Sequence, residues 1–546
     1  MKNKILLTVL TGIATSASAE VIVSSNITSS TTWTAVNSPY ILEGPVYVTN
    51  DSVLTIEPGV IIRGQPDSDF GQGDAGTLVI TRGSQIDAQG TPTEPIIFTT
   101  AAVDNDGNGI ADGLDAEITL EDGDEVFRTR ATRYNPAADP ADTFLDADPL
   151  NNPLPPAVYD TNGDIVVFNS PSGQTFNGNI VEVPAENRQL CGGVVILGRA
   201  PTNNSGANDV SLGLNENFIE GLSQDANGTY GGFNPNDNSG VVSYFSIRHG
   251  GSIIGTANEI NGLTLGGVGY GTQIDHVEVY CNADDGFEFF GGTVNTKYLA
   301  AHMVNDDAFD HDEGFTGLGQ FWFSIYNADG RNGDKAGEHD GATGRVNSLG
   351  VPFTYPTIYN ATFIGSGTVG DSEAFRIRDN WGGQYFNSIF VEFPGDGVEF
   401  EDDGLARLVA GQVTFEECTW WNINYDGTNF DNTATGLTKG GNDALISGSV
   451  AAVDGLLSAG GNRIVDPGFA PFNRRAVNGI NPAPSVGIGT ALFGSFGKPF
   501  TSTFFTPVGY KGAFSTVQSQ TLWTTGWTAL NKRNILVDRG DLVNVN

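Results

Sequence analysis

Short apolar stretches, separated by glycine, proline, asparagine and aspartate corners, recur along most of the chain. YILEGPVYVTNDSVLTIEPGVIIRG (40–64) contains three such stretches, and GTLVITRGSQIDAQGTPTEPIIFTT (76–100) contains three more. Strands this short, bounded by such corners, are typical of an all-β protein. The pattern returns at CGGVVILGRA (191–200) and continues through VTFEECTWWNIN (413–424).

An internal repeat indicates how the strands stack. NADDGFEFFGG (282–292) and VNDDAFDHDEG (304–314) align with one constant shift, which pairs Asp285 with Asp307 and Phe287 with Phe309. A third copy, GDGVEFEDDG (395–404), follows the first after about five such steps. A shift of about 22 residues suits one coil of three short strands, with equivalent side chains about 4.7–4.9 Å apart on adjacent coils. The repeat predicts a right-handed parallel β-helix with a row of carboxylates at one corner.

Changes in composition divide this predicted solenoid into segments. We expect residues 20–100 to form an N-terminal cap and the first coils, and residues 187–470 to form the body. Residues 101–186, rich in Asp, Asn and Pro, predict an acidic calcium-binding loop inserted between coils. Residues 471–546 are aromatic and turn-rich, and we expect them to cap the open end, because an uncapped β-helix exposes a strand edge.

The leader at positions 1–19 has the three parts of an export signal. Lys2 and Lys4 precede an apolar stretch at 5–14, and Ala17-Ser18-Ala19 forms a small-residue cleavage site. We expect cleavage after Ala19 and a protein that is secreted or held on the outer surface of a bacterium. No later segment has the ~18 apolar residues in a row that a transmembrane helix needs.

Charge narrows the range of partners. The chain has 64 acidic and 26 basic side chains, a formal net charge of −38. Such a field repels nucleic acid and attracts cations, so we expect no nucleic-acid partner. A solvated acidic surface suited to saline water is the alternative, and we expect both, because some carboxylates cluster tightly. Cys191, Cys281 and Cys418 are too few for a disulfide scaffold, and we expect them to be buried.

DNDGNGIADGLD (104–115) has the spacing of a calcium loop. Asp104, Asp106 and Asn108 stand at positions 1, 3 and 5 of an EF-hand-like loop, and Asp115 closes it at position 12. Two features depart from that pattern: position 12 is Asp instead of Glu, and flanking helices are not evident. The alternative is a solvated acidic turn. We expect calcium as the cofactor.

The second acidic constellation comes from the repeat. Stacked about 5 Å apart, its carboxylates need a cation, a raised pKa or hydrogen bonds. Three explanations stay open: structural calcium between coils, corners capped by Asx hydrogen bonds without metal, or a catalytic cluster. For the first we name Asp284, Glu288, Asp310 and Asp312 as ligands.

The catalytic alternative draws on a local resemblance. NADDG (282–286), NDD (305–307), GEHDG (337–341) and RIR (376–378) resemble, in that order, motifs of the pectin-degrading β-helix hydrolases. The resemblance implies that Asp285 and Asp306 or Asp307 form an acid–base pair about 6.5–9.5 Å apart. His339 would then tune the acid, while Arg376 and Arg378 would hold a sugar carboxylate. This chain departs in having His339 between Glu and Asp, and Arg in place of Lys.

A wider resemblance covers most of the chain after the leader. LTIEPGVIIRG, CGGVVILGRA, DDGFEFFGGTVN and DDAFDHDEGFTGLGQFWF are similar to segments of exported, pectin-lyase-like β-helix proteins of environmental bacteria. The resemblance implies fold and export, but no reaction. Trp381 is our candidate for stacking on a sugar ring, with core packing as the alternative.

These patterns together predict a secreted or cell-surface calcium-binding β-helix protein that contacts polysaccharide or another surface component. One alternative is a polysaccharide-degrading hydrolase or lyase acting on acidic glycans. The other is a structural surface-layer or adhesin subunit.

Overall fold

The fold is taken from a computed structural model. It describes residues 20–65, 67, 73–101, 158–159, 165–167, 190–203, 215–222, 225–255, 258–326, 333–341, 350–433, 437, 455, 457, 459–469, 480–484, 501–517, 520–532, 536 and 538. The predicted export signal, most of the acidic insertion and the predicted calcium ligands Asp104, Asp106, Asn108 and Asp115 lie outside these residues. Those predictions stay predictions.

Parallel strands form three stacks, to each of which every complete coil adds one strand. Face 1 consists, in order, of β4 (Pro45–Val48), β7 (Thr77–Ile80), β12 (Val194–Leu197), β18 (Leu263–Gly266), β20 (Phe287–Phe290), β22 (Phe309–Asp312), β25 (Lys335–Asp340), β28 (Glu373–Arg378) and β31 (Glu399–Phe400). Strands β7 and β12 are neighbours, so the chain resumes the same stack after the 101–186 insertion. The predicted parallel β-helix is confirmed.

Faces 2 and 3 meet at a bend. Face 2 contains β2 (Thr31–Trp33), β5 (Val53–Ile56), β8 (Gln85–Gln89), the first halves of β15 (Gly240–Arg248), β19 (Gln273–Tyr280) and β21 (Asn295–His302), and then β23 (Leu318–Gln320), β26 (Thr357–Tyr359), β29 (Gly383–Phe386) and β32 (Val413–Glu416). Face 3 contains β1 (Val21–Val23), β3 (Tyr40–Leu42), β6 (Ile61–Gly64), β9 (Ile96–Thr100), the second halves of β15, β19 and β21, and then β24 (Phe323–Ile325), β27 (Thr362–Ile364), β30 (Ile389–Phe393), β33 (Thr419–Tyr425) and β35 (Arg463–Ile464).

The remaining described elements are short. Antiparallel pairs join β10 (Val158–Tyr159) to β11 (Ile165–Val167), β13 (Glu216–Phe218) to β14 (Thr229–Gly231), β16 (Ile253–Gly255) to β17 (Asn258–Glu259), and β34 (Phe430–Asp431) to β33. The helices are α1 (Gly404–Val409), α2 (Ala529–Lys532) and a 3₁₀ turn at Ala35–Asn37. No helix in the described ranges is long and apolar enough to cross a bilayer.

Alternation along the strands of face 1 separates core from surface. Phe287 and Phe309 are fully buried, and their rings stack with centroids 5.3 Å apart. The next residue of each strand, Glu288 or Asp310, points the other way, as the period of two requires. The predicted shift, which places Phe309 on Phe287, is therefore confirmed for these two coils. Cys191, Cys281 and Cys418 are buried and unbridged, as expected.

Coil length is more variable than the repeat predicts. Equivalent positions on face 1 are 22 residues apart from β20 to β22 and 28 residues apart from β22 to β25. The separation is 38 residues from β25 to β28 and 23 residues from β28 to β31. The third copy of the repeat therefore lies four coils after the first, and the prediction of five coils is wrong. Loops inserted after β22 and β25 supply the missing residues, since long loops cost a solenoid little.

The described part of the C-terminal segment lies along the side of the coils. Thr506 N–H donates to Gln320, Gly512 N–H donates to Asn387 O, and the N–H groups of Ala529 and Leu530 donate to Glu278. Its apolar side chains cover the outer surface of face 3. For the described residues of 501–532 the expected position over the open end is wrong, because the exposed apolar side chains of these strands need covering along their length.

Candidate metal centre on face 1

Acidic side chains follow the outer surface of face 1 from coil to coil. The register aligns Glu288 with Asp310, Asp310 with Glu338, and Glu338 with Arg376. Further acids occupy the corners just before these strands: Asp285 precedes Gly286, Asp307 precedes Ala308, and Asp334 precedes Lys335. A Cβ at Gly286 would lie 2.7 Å from the carbonyl oxygen of Ala308, so the tight approach of the two coils requires glycine there.

Seven of these carboxylates form three overlapping groups, which we call the carboxylate row. In each group one oxygen from every member lies within 4.8 Å of the others. The groups are Asp284–Asp285–Asp306, Asp285–Glu288–Asp310 and Asp306–Asp307–Asp334. Asp285 and Asp306 each belong to two groups. Oxygen ligands at this density are what calcium prefers.

Backbone hydrogen bonds fix the two deepest members of the row. Asp307 N–H donates to Asp285 Oδ1 at 2.9 Å, and Lys335 N–H donates to Asp307 Oδ1 at 2.7 Å. Each bond joins one coil to the next. Asp285 is 6 % exposed and Asp307 is 2 % exposed, whereas Asp306 and Asp334 are exposed. The row thus has a rigid buried side and a side open to solvent.

The coils beyond the row carry their own cations. Arg378 bonds Asp340 at 2.6 Å and Glu338 at 2.8 Å, and Arg376 bonds Glu399 at 2.6 Å. By contrast, Asp285, Glu288 and Asp310 make no ion pair with a basic side chain among the described residues. The need for a bound cation is therefore greatest at the group that these three form.

A buried amide supports a cation at this group. Asn261 is 1 % exposed, and its Nδ2 donates to Glu288, yet its Oδ1 has no hydrogen-bond donor. Asp310 Oδ1 is also buried without a donor. A buried polar atom without a partner is costly, and a bound cation is a partner that such oxygens accept.

Crowding raises the carboxyl pKa values along the row. Burial is the largest cause for Asp285, whose pKa lies well above its usual value, and the negative charge of Asp284 is the next. Burial likewise raises the pKa of Asp307 and of Asp310, with added repulsion from Glu338 and Asp340 respectively. For Lys335, burial alone would lower the pKa. The negative charges of Asp307 and Glu338 together outweigh burial, so the pKa of Lys335 is raised. Without a cation, these raised pKa values favour proton uptake by the carboxyls of the row.

Comparison with protein families identifies the family to which this solenoid belongs. A family profile described as a pectate-lyase-like β-helix domain matches residues 25–113 and 181–452. The chain belongs to the pectate-lyase-like β-helix family. Comparisons with curated proteins and with solved structures gave no significant match. The family confirms the predicted pectin-lyase-like resemblance, and the break in its match falls inside the 101–186 insertion.

Two predicted site residues of this pectate-lyase-like protein lie inside the coils. His339 is fully buried and its ring stacks between His311 and Trp381, with centroids 4.2 and 4.7 Å away. Its Nε2 bonds the hydroxyl of Tyr385, and burial lowers its pKa to about 3. Trp381 is also fully buried. The prediction that Trp381 offers a sugar platform is wrong, and His339 has no surface toward a ligand. Alternation along β25 turns His339 inward, and Trp381, in the turn between β28 and β29, packs on its ring.

The predicted acid–base pair has the wrong separation for inversion. Oxygens of Asp285 and Asp306 lie within 4.8 Å, closer than the roughly 6.5–9.5 Å that accommodates a water. Asp307 is held by the Lys335 N–H. Arg376 and Arg378 bind the protein's own carboxylates. Of the predicted catalytic residues, the structure brings together the three aspartates only, at a density of oxygens that suits a cation.

Three of the four metal ligands predicted on face 1 lie together in the row, and their role as ligands stays a prediction. Asp284, Glu288 and Asp310 belong to the row, but Asp312 belongs to none of the three groups. Asp312 lies at the far end of β22, where its Oδ1 accepts the N–H of Glu313. The sequence reasoning missed Asp334 and Glu338, because it assumed coils of constant length. The match of FDHD (309–312) with GEHD (337–340) was the signal that would have found this coil.

Proposed function

We propose that this protein is an exported, calcium-binding β-helix protein that uses its carboxylate row to bind acidic polysaccharide through calcium. The observation that carries the proposal is the overlap of three carboxylate groups around Asp285 and Asp306. Calcium takes six to eight oxygen ligands. Three carboxylates and an amide supply part of that set, which leaves positions for water or for a glycan carboxylate.

Exposure supports the polysaccharide part of the proposal. Asp306 and Asp334 are exposed and Asp284 is half-buried, so cations at the two outer groups would face solvent. A net charge of −38 disfavours direct contact with a polyanion, and bound calcium reverses the local charge. Membership of the pectate-lyase-like family is in keeping with a polysaccharide ligand.

Calcium titration by calorimetry, combined with point variants, tests the proposal. Asp285→Asn removes one charge from two groups, so we expect it to weaken calcium binding at the row by at least about tenfold. Glu94→Gln is the matched control, because Glu94 is an exposed acid in a turn remote from face 1. Asp104→Asn separates binding at the predicted 104–115 loop. Equal affinity and stoichiometry for the wild type and Asp285→Asn would contradict the proposal.

A polysaccharide lyase or retaining hydrolase is the second candidate, because the carboxylates of Asp285 and Asp306 are too close for inversion but near the roughly 5–5.5 Å of a retaining enzyme. Incubation with acidic and neutral polysaccharides, followed by assays for reducing ends and for unsaturated sugars, distinguishes it. We expect binding without product. Product formation that is lost in Asp306→Asn, with calcium affinity measured in parallel, would favour the enzyme instead.

A further inference from the structure

Exposed aromatic side chains cluster on one edge of face 1. Among the described residues, Phe233, Tyr270, Phe353 and Tyr355 are the large aromatics with the greatest exposure, at 68, 52, 39 and 37 %. All four lie in connections that leave face 1: Phe233 just after β14 in the connection from β12 to β15, Tyr270 after β18, and Phe353 and Tyr355 after β25. Single exposed apolar residues need no explanation, but four aromatics confined to one edge do.

Local contacts hold the rings of Phe353 and Tyr355 in place. Phe353 packs on the guanidinium of Arg407 at 4.3 Å, and Arg407 is itself held by Asn380 and by Gln412. The hydroxyl of Tyr355 accepts a hydrogen bond from Gln384 Nε2 at 3.3 Å. Arg407 covers one side of the Phe353 ring, and the ring keeps an exposed surface. A ring fixed in this way loses little side-chain entropy when a ligand stacks on it.

The loops that carry Phe233 and Tyr270 are also joined, since Tyr270 N–H donates to Pro235 O at 3.0 Å. The four aromatics therefore form two pairs. Three strand spacings, from β18 through β20 and β22 to β25, separate the pairs by about 14 Å along the axis. The loops after β20 and β22, both within the described residues, carry no exposed large apolar side chain.

This spacing fits a linear polymer better than a protein surface. A stable protein interface needs about 800 Å² per partner around an apolar centre, whereas here polar loops separate the two pairs. A polysaccharide repeats a ring whose C–H face stacks on an aromatic and whose hydroxyls bond polar groups. The β25 coil also connects the edge to the row, because it supplies Asp334 to the row and Phe353 and Tyr355 to its loop.

We propose that Phe233 with Tyr270, and Phe353 with Tyr355, are two aromatic subsites for one polysaccharide chain lying along the loop edge of face 1. The inference rests on the proposed function and deepens it: the row holds acidic groups through calcium, and the aromatic pairs hold sugar rings. Affinity electrophoresis in gels that contain polygalacturonate or a neutral β-glucan, each with calcium or with chelator, provides the test.

We expect retardation of the wild type in polygalacturonate with calcium. The double variants Phe353→Ala/Tyr355→Ala and Phe233→Ala/Tyr270→Ala should each bind about tenfold more weakly, since two aromatic contacts are removed. Phe353→Trp should bind like the wild type, because it keeps a ring, and Phe353→Leu should not. Val36→Ala, at an exposed position remote from face 1, is the control. The calcium-induced rise in Tm should be unchanged in every variant.

The outcomes separate the two proposals. If Asp285→Asn abolishes retardation while both double variants bind like the wild type, the aromatic subsites are refuted and the proposed function stands. If the wild type migrates unretarded in both polysaccharides, with and without calcium, polysaccharide binding and the subsites are both refuted.

Discussion

At the residue scale, Asp285 shows how a buried carboxylate becomes a ligand. It belongs to two of the three groups and is 6 % exposed. Its Oδ1 accepts the Asp307 N–H, so its position is fixed before any cation binds. Burial and the surrounding acids raise its pKa. A charged Asp285 destabilises the fold when no cation is present, because the neighbouring acids repel it. A bound cation relieves that repulsion, so the same side chain is an effective ligand.

Asp285→Asn should therefore have opposite effects with and without calcium. In chelator at pH 8 we expect the free energy of unfolding to rise by roughly 1–2 kcal/mol, because one buried negative charge is removed. In calcium we expect the variant to be less stable than the wild type. Denaturant melts under both conditions measure this. A variant that is destabilised equally in both would indicate a structural role alone.

Arg378 is a cation built into the chain, since it bonds both Glu338 and Asp340. We expect Arg378→Gln to lower the free energy of unfolding by about 1–3 kcal/mol, allowing for its partial exposure. We also expect the variant to gain calcium affinity beside Asp340. Titration calorimetry and chemical denaturation check both effects, and a variant without added calcium binding would contradict the role of Arg378 as a substitute for metal.

Residue type alone did not decide which side chains face outward. Trp381 and His339 were named as site residues for their chemistry, but both point into the coil, where they stack on one another. The sequence identified Asp285, Asp306 and Asp307, because the internal repeat places these acids at one corner of successive coils.

At the element scale, raised carboxyl pKa values extend along face 1 beyond the row to Asp340 and Glu373. The folded protein holds protons on raised carboxyls that the unfolded chain, with ordinary pKa values near 4, has already released. Burial raises the pKa of Asp340 to about 7 and that of Glu373 to about 8, although arginine partly offsets both. Each of these groups therefore lowers stability as the pH rises from about 4 through its folded pKa.

Metal-free protein should accordingly melt at lower temperature at pH 8 than at pH 5.5. Calcium replaces the protons, so its addition should reduce this pH dependence and release protons at pH 7. Calorimetry in buffers of different ionisation enthalpy counts those protons. If Tm in chelator rises steadily from pH 5.5 to pH 8, the raised carboxyl pKa values are contradicted.

The C-terminal segment depends on one buried carboxylate. Glu278 is fully buried and accepts the N–H groups of Ala529 and Leu530 at 2.7 and 3.0 Å. We expect Glu278→Ala to expose residues 520–532 to proteolysis, because both N–H groups lose their acceptor. The calcium titration should be unchanged, since Glu278 lies outside the row. Protease resistance equal to that of the wild type would show that apolar contacts alone hold the segment.

Coil register was predictable only where no loop intervened. The constant shift placed Phe287 on Phe309 correctly, but it failed beyond β22, where the next two coils are longer. The length of an inserted loop carries no periodic signal. Similar strand sequences, such as FDHD (309–312) and GEHD (337–340), therefore predict the register between coils better than a constant shift does.

At the scale of the whole molecule, the net negative charge has two explanations, and they predict different responses of stability to added salts. A solvated saline-adapted surface responds to ionic strength, whereas a set of cation sites responds to calcium specifically. We expect about 1 mM calcium to raise Tm more than sodium chloride at matched ionic strength. An equal effect of the two salts would attribute the net charge of −38 to surface solvation.

The central claim is that face 1 holds calcium between its coils, and anomalous diffraction tests it most directly. Crystals grown with calcium, or with strontium in its place, should show density about 2.3–2.6 Å from carboxylate oxygens of Asp285 and its partners Glu288 and Asp310. Density confined to the 104–115 loop, or absent from face 1 at saturating calcium, would contradict the account.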